Sequence, residues 1–335
     1  MSDAIMHHDI IVIGASAGGV HTLSEILASL PADLPAAVFA VLHISPFGKS
    51  VLPAILSRAS ALPAKHPVDG EPIRHGQIYV APPDRHLALE LDRVRLSMGP
   101  TENGHRPAVD VLFRTAAESF GRRVIGVVLT GNLDDGTAGL ALVKERCGIS
   151  VVQDPEEADY PSMPASALRN VAVDYTLSIA EIGPLLDRLA REPFPDEPES
   201  SLAAESAEDR GREPAYQNDK EGGSPSGFIC PECGGALFES HLPKGSIHFR
   251  CRTGHAYSPE SLVAKQATGV ETALWAAIRA LEERAALARR IEKRMHDVGR
   301  VVSMERFSER AQQAEKNAEI LRGVLFNAAA DPTLD

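Results

Sequence analysis

The chain predicts a doubly wound, mainly parallel α/β domain, followed by a small zinc-ribbon-like module and a C-terminal helical hairpin. Three observations carry that prediction. Strand and helix patterns alternate over residues 8–191, ligand-type side chains cluster over 230–255, and amphipathic helical periodicity runs through the last segment. The length of 335 residues suggests roughly two domains with additions.

Taken in order, the first strand is expected over residues 9–13. Asp9-Ile10-Ile11-Val12-Ile13 is β-branched and continuous, as in a strand buried on both faces of a parallel sheet. Gly14-Ala15-Ser16-Ala17-Gly18-Gly19 turns the chain, and a helix over 18–30 follows, ended by Pro31. Further strands are expected at 37–42, 77–81, 86–90, 94–97, 124–130, 150–153 and 173–176. Helices are expected at 48–58, 108–120, 137–146, 164–170 and 179–191. Between Ile78 and Leu96 no helix-length periodicity occurs and Pro82-Pro83-Asp84 marks a turn, so antiparallel hairpins are expected at one sheet edge. Residues 192–227 read as an acidic, disordered linker, because Asp196 to Glu221 holds nine acidic against three basic residues, a net −6. The cysteine module is placed at 228–257 and a helical hairpin or coiled coil at 258–329.

Composition excludes several functions. A hydrophobic share of 44% supports a sizeable core, and a net charge of −12 argues against nonspecific nucleic-acid binding. No apolar run is long enough to span a bilayer, and the opening residues MSDAIMHHD lack the basic region of a secretory signal. A cytoplasmic location is expected. Four cysteines are too few for a disulfide framework at this length.

Three readings compete for the glycine-rich turn. A dinucleotide fingerprint fits badly, because Ser16 stands at its second glycine and the second strand ends in His43 rather than an acidic residue. A plain turn with a solvated serine is the bland alternative. A nucleophile elbow, G-x-S-x-G, is satisfied by Gly14, Ser16 and Gly18. Carboxyl ends of adjacent parallel strands share one crevice, so His43 reaches Ser16 if the first two strands are neighbours. A third strand, Val124 to Leu129, opens into Thr130-Gly131-Asn132-Leu133-Asp134-Asp135-Gly136-Thr137. Either aspartate there can orient the histidine, while capping of the next helix is the structural alternative, especially for Asp134.

These segments resemble the catalytic domain of CheB-type chemotaxis protein-glutamate methylesterases. The resemblance rests on GASAGG, LHIS, LTGNLDDG, HRPAVDVLF (105–113), APPDRHL (81–87) and PSMPASAL (161–168), in the family's order from residue 9 to about 190. It implies Ser16 as nucleophile, His43 as base and Asp135, which directly precedes Gly136, as orienting acid. Ala17 and Asn132 would supply oxyanion N–H groups, with Leu133 and Arg106 as further oxyanion or substrate-binding positions. The implied reaction is hydrolysis of glutamyl methyl esters on a chemoreceptor with release of methanol, and deamidation of receptor glutamines, with no catalytic cofactor. Side chains at Ala17, Asn132 and Leu133 depart from the common family pattern, which bears on substrate fit more than on hydrolysis. The first catalytic strand begins at Asp9, so the N-terminal receiver domain of the best-known members is not expected.

Cys230-Pro231-Glu232-Cys233 and Cys251 with His255 form C-x2-C and C-x3-H pairs with seventeen residues between them. That spacing suits a closed, structural tetrahedral zinc site, with reduced cysteines in a small hydrophobic fold as the alternative. His241 and His248 are competing ligands by residue type but lack the paired spacing. Cys147 is expected to be simply buried. Met304, Phe307, Ala311, Ala314, Ala318, Leu321 and Leu325 recur at steps of three and four, and Leu274, Ile278, Leu281, Ala285 and Met295 repeat the stripe upstream. Burial within a hairpin and dimerisation or partner docking through these helices are equally compatible with it. The basic cluster Arg284, Arg289, Arg290, Lys293 and Arg294 is expected to be a solvated face. The main functional reading is therefore a serine esterase acting on a methylated chemoreceptor or related signalling protein. A regulatory adaptor that kept the fold and binds partners through its tail is the alternative, and hydrolysis of a small-molecule ester a third.

Overall fold

The computed structural model describes residues 6–47, 50–194, 223–241 and 247–328. The expected acidic linker lies mostly outside them, but its two described ends form strands, at Pro193–Phe194 and from Ser224 onward, rather than disordered chain. In chain order the elements are β1 (Met6–His7), β2 (Ile10–Ala15), α1 (Gly19–Ala28), β3 (Ala37–Leu42), α2 (Leu52–Ala59), β4 (Ala64–Lys65), β5 (Ile78–Val80), β6 (His86–Glu90) and β7 (Arg93–Ser97). Next come α3 (Val109–Phe120), β8 (Val124–Val128), α4 (Thr137–Glu145), β9 (Ile149–Gln153), α5 (Ser162–Asn170), β10 (Tyr175–Leu177), α6 (Ile179–Arg191) and β11 (Pro193–Phe194). The remainder is β12 (Ser224–Ile229), β13 (Ala236–His241), β14 (Ile247–Cys251), β15 (Ala256–Tyr257) and two long helices, α7 (Pro259–Asp297) and α8 (Val301–Ala328).

Seven strands form one parallel sheet in the order β10-β9-β8-β2-β3-β5-β4. Strands β2, β3 and β8 are buried along their whole length, which is why they read as unbroken apolar runs. Ile11, Ile13, Val38 and Val127 pack on one face with Leu23, Ile26 and Leu27 of α1, Leu56 of α2 and Leu186 of α6. Val12, Phe39 and Val128 pack on the other with Leu112 and Phe113 of α3, Leu140 of α4 and Met163 of α5. Each such side chain contributes roughly 1.5–3 kcal/mol on leaving water. The chain winds outward from β2 through β3 and returns to its other side at β8, so the carboxyl end of β2 is the switch point of the sheet.

The expected edge hairpin differs in detail. Ile78–Val80 joins the parallel sheet beside β3, whereas β6 and β7 pair with each other, and β7 also bridges to Pro72 through Arg93. Their ribbon lies on α3 instead: Leu89 N–H donates to Thr115 Oγ1, and Ser119 Oγ donates to the Leu89 carbonyl. Leu87, Leu89 and Val94 bury their side chains in the α3 layer, and that apolar face draws the ribbon off the sheet edge. Helix α2 starts at Leu52, later than expected, with Pro53 in its first turn. The short pair β1 and β11 ties the beginning of this domain to the segment after α6.

The cysteine segment is a four-stranded antiparallel sheet, β12-β13-β14-β15, whose first strand begins at Ser224, ahead of the expected 228. Its core is small: Cys230, Leu237, Phe249, Cys251, Tyr257 and Leu262. The chain up to Leu262 is one compact unit and that from Val263 a second. In the second, Ile278, Ala285, Ala288, Ala311, Ala314, Ala318 and Leu325 are buried. The periodic stripes are buried at these positions and half-buried at Leu274, Leu281, Met295, Met304, Phe307 and Leu321, and Arg289 bridges the helices to Glu315 at 2.9 Å, with Arg322 paired to Glu282. Among the described residues no helix is long and apolar enough to cross a membrane.

Candidate active site

Ser16 follows the last residue of β2, and His43 follows the last residue of β3. Ala15 and Leu42 are register partners, so the parallel pairing itself sets the next two residues side by side, with His43 N–H donating to the Ala15 carbonyl. Close approach demands glycine at two points here. A Cβ on Gly14 would fall 2.2 Å from Val109 Cγ1, and one on Gly131 would fall 2.7 Å from the Ser16 Cβ and 2.1 Å from Met163 Sδ.

The structure brings Ser16, His43 and Asp135 into one hydrogen-bonded line. His43 Nδ1 lies 3.0 Å from Ser16 Oγ, and His43 Nε2 lies 2.8 Å from Asp135 Oδ2. Asp135 can only accept, so a neutral imidazole carries its hydrogen on Nε2 and offers the Nδ1 lone pair to the serine hydroxyl. The His43 ring is stacked on His105, with centroids 3.7 Å apart and planes 8° apart.

Asp135 is buried and accepts four hydrogen bonds. Besides His43, Val109 N–H donates to Oδ2 at 2.7 Å, Asp110 N–H to Oδ1 at 3.2 Å and Asn103 Nδ2 to Oδ1 at 3.0 Å. Val109 and Asp110 open α3, whose first-turn N–H groups have no partner within the helix. Asp135 thus caps α3 from a distant loop. The favour is returned: Asp110 Oδ1 accepts from Gly136 N–H at 3.0 Å and Gly139 N–H at 2.7 Å at the start of α4. Neither helix has a side-chain cap from its own N-cap residue. Burial works to raise Asp135, but the hydrogen bond and charge of His43, the His105 ring and the Val109 N–H outweigh it and hold the carboxyl well below the usual range. Asp110 goes the other way, raised by burial and then by the neighbouring Asp135 charge.

Asp134 does not cap α4 with its side chain. Its Oδ1 accepts from Ser258 Oγ at 2.8 Å, and burial pushes its carboxyl up to about 7. Asn132 is exposed and Leu133 takes φ 62. Among the described residues no hydrogen bond is made by the N–H groups of Ala17, Asn132 and Leu133. Arg106 is committed elsewhere, to Asp84 Oδ1 and to the carbonyls of Met98 and Gly99. Sequence reasoning missed Asn103 and the stacking role of His105. The dipeptide Asn103-Gly104 was a readable turn signal, but what the turn touches was not.

The four cysteine-module ligands also come together. The Sγ atoms of Cys230, Cys233 and Cys251 and a ring nitrogen of His255 lie within 4.8 Å of one another and can hold a metal ion. Cys233 and Cys251 sulfurs are 3.6 Å apart, and His255 Nδ1 is 3.6 Å from Cys230 Sγ and 3.5 Å from Cys251 Sγ. His255 turns Nε2 toward Glu232 Oε2 at 3.4 Å. His248 is not in the group; it is half-buried, and desolvation pushes it down to about 4. The side chain of His241 lies outside the described residues. Cys147 is exposed rather than buried, in a turn after α4 at φ 60.

Fold and crevice together define an α/β domain with a serine, a histidine and a carboxylate aligned at its switch point. The CheB methylesterase family model matches residues 11–186, and the chain belongs to that family. A putative protein-glutamate methylesterase/protein-glutamine glutaminase from Leptospira interrogans is 40% identical over 185 residues, 55% of this chain and 96% of that one. A protein-glutamate methylesterase/protein-glutamine glutaminase from Anaeromyxobacter dehalogenans is 38% identical over 183 residues, 55% of this chain, which spans 54% of the relative's length. The crystal structure of the Thermotoga maritima CheB methylesterase catalytic domain is similar at TM-score 0.52 and 36% identity, covering 54% of this chain and 98% of that domain.

Proposed function

We propose that the chain is a serine esterase that removes methyl groups from glutamyl methyl esters of a chemoreceptor or related signalling protein, and that it also deamidates receptor glutamines. The hydrogen-bonded line from Ser16 through His43 to Asp135, in a CheB methylesterase domain, carries this reading. Ser16 Oγ attacks the ester carbonyl carbon while His43 Nδ1 takes its proton. Asp135 balances the resulting imidazolium across the Nε2 hydrogen bond. The tetrahedral oxyanion is met by the N–H groups of Ala17 and of Asn132 or Leu133, one such donor being worth about 10²–10³ in rate. Collapse breaks the carbon–oxygen bond to the methoxy group, which leaves as methanol with the Nδ1 proton. Water then attacks the acyl carbon as His43 takes its proton, and His43 passes that proton to Ser16 Oγ as the acyl bond breaks, releasing glutamate and free Ser16. For glutamine, ammonia is the leaving group. Arg106 serves substrate binding indirectly, by fixing the loops that carry Asp84, Met98 and Gly99.

The three cysteines and His255 suit zinc. A tetrahedral ion bonded at about 2.3 Å to sulfur and about 2.0 Å to nitrogen needs separations of ~3.8 Å between sulfurs and ~3.5 Å from sulfur to nitrogen. The 3.6 Å between the Cys233 and Cys251 sulfurs and the 3.5 Å from Cys251 Sγ to His255 Nδ1 fit. Zinc there would supply folding free energy to a module with a small core. The cytoplasm, a reducing compartment, suits such thiolate ligands. Methanol release from a methylated receptor fragment by the purified chain tests the esterase. Ser16→Ala is expected to abolish release, and undiminished release from that variant would overturn the mechanism.

A further inference from the structure

The segment Thr101 to His105 does something that the ester chemistry leaves unexplained. Asn103 and Gly104 take φ 52 and φ 75, and Glu102 and His105 exchange backbone hydrogen bonds at 2.9 and 3.2 Å. Positive φ at both central residues is the type I′ turn that Asn-Gly favours. The turn aims the Asn103 side chain inward, where it is 3% exposed.

All four hydrogen-bonding positions of that amide are used, and they divide between two parts of the chain. Nδ2 donates to Asp110 Oδ2 at 2.8 Å and to Asp135 Oδ1 at 3.0 Å. Oδ1 accepts from Ser258 N–H at 3.0 Å and from Ser261 Oγ at 3.1 Å. The surroundings repeat the link. Asn103 N–H donates to the Ala256 carbonyl and Ala256 N–H to the Thr101 carbonyl. Glu102 pairs with Arg114 of α3 at 2.8 Å and Arg250 of β14 at 3.6 Å. Thr101 Oγ1 donates to the Glu232 carboxylate at 2.7 Å. The cysteine module is therefore seated on the turn that touches the triad acid.

Direction matters in this amide. A backbone N–H can only donate, so Ser258 N–H forces the Asn103 oxygen toward the module and its NH2 group toward the two carboxylates. Without Ser258 and Ser261 the amide keeps its NH2 group toward the two carboxylates but loses both partners on its oxygen. The side chain is then no longer pinned in place, and the Nδ2 donation to Asp135 Oδ1 loses its fixed distance and angle. Ser258 itself lies just beyond the ligand His255, on a segment whose small core the metal would hold together.

We propose that Asn103 is a positioning residue for Asp135, and that the metal-loaded module, through Ser258 and Ser261, holds its amide in the position that keeps Asp135 aligned with His43. The C-terminal module is on this view a built-in support of the esterase site. The proposal rests on the triad reading but is separable from it by experiment.

The test uses the full chain with ¹⁵N-labelled histidine. The zinc-loaded and chelator-treated proteins are compared for the His43 Nε2–H resonance and for kcat and KM in methanol release. Metal removal is expected to shift or broaden that resonance and to lower kcat roughly 10- to 100-fold, the scale of a misplaced catalytic group, with KM little changed and zinc restoring both. Asn103→Ala is expected to show the same loss with metal bound and no further loss on chelation. Ser261→Ala, which keeps the turn, is expected to show a smaller loss in the same direction should Asn103→Ala fail to fold. An unchanged His43 resonance and unchanged kcat after metal loss would overturn the proposal. So would a chelation effect that is undiminished in Asn103→Ala or, where that variant fails to fold, in Ser261→Ala. If the loaded chain releases no methanol yet the His43 resonance still follows the metal, the esterase reading fails and this one stands.

Discussion

Asp135→Asn probes the proposed triad at its most constrained point. The carboxylate is 2% exposed and is met only by donors: His43 and Val109 at Oδ2, Asn103 and Asp110 at Oδ1. An amide replaces one oxygen by NH2, so in either orientation two donors face a donor. With the NH2 toward His43, the ring avoids the clash only by moving its hydrogen to Nδ1, where it can no longer take the Ser16 proton. Turned the other way, the tautomer survives, but Asn103 and Asp110 N–H lose their acceptor, and the charge that balances the imidazolium is gone. A wrong tautomer of this kind costs about 10⁴ in kcat in serine enzymes. Two stranded buried donors cost about 1–3 kcal/mol each. The expected variant is folded and weakened, with kcat for methanol release down by about 10³–10⁴ and KM nearly unchanged. Stopped methanol-release assays and urea unfolding read the two effects separately. Activity within about tenfold of the parent would refute Asp135 as the partner that sets the His43 tautomer.

Two further outcomes follow from the geometry. Gly131→Ala places a methyl group against Met163 Sδ and the Ser16 Cβ; overpacking of this kind costs about 1–3 kcal/mol, and it should lower kcat by displacing Ser16, with Met163→Ala recovering part of both. Asp134, raised from 3.8 to about 7 chiefly by burial, binds more protons in the folded chain than in the unfolded chain between those values, so stability falls as pH rises through that window and is fullest below it. Asp134→Asn keeps an acceptor for Ser258 and removes the titration, so urea unfolding should show a flatter profile and a gain on the order of 3–4 kcal/mol near pH 8 relative to pH 4; a profile as steep as the parent's would refute the assignment.

The parts of the fold that were readable are those decided by short stretches of chain. Strand β3 and helix α6 occupy the residues that the apolar pattern marks, because a strand buried on both faces tolerates little else and Ser178 with Glu181 supplies a local capping box. Ser16 and His43 were readable because each ends an apolar run. The β6–β7 ribbon was misjudged at its margin, since periodicity shows a hairpin but not the surface it lies on.

The choice between Asp134 and Asp135 was beyond periodicity and spacing. The two differ by one position, and what separates them is the start of α3 against one and Ser258 against the other. The exchange of caps between α3 and α4 was hidden for the same reason: its donors and acceptors are about 26 residues apart in the chain. By itself the sequence determined the strands, the glycine turn with its serine and the ligand spacing, all of which depend on residues within a few positions of one another. Only the tertiary structure decided which nitrogen of His43 faces Ser16, how Asp134 and Asp135 divide between Ser258 and the start of α3, and that Asn103 joins Asp135 to the cysteine module. Those are matters of direction and distance between remote groups, and a hydrogen bond exists only where packing has set both.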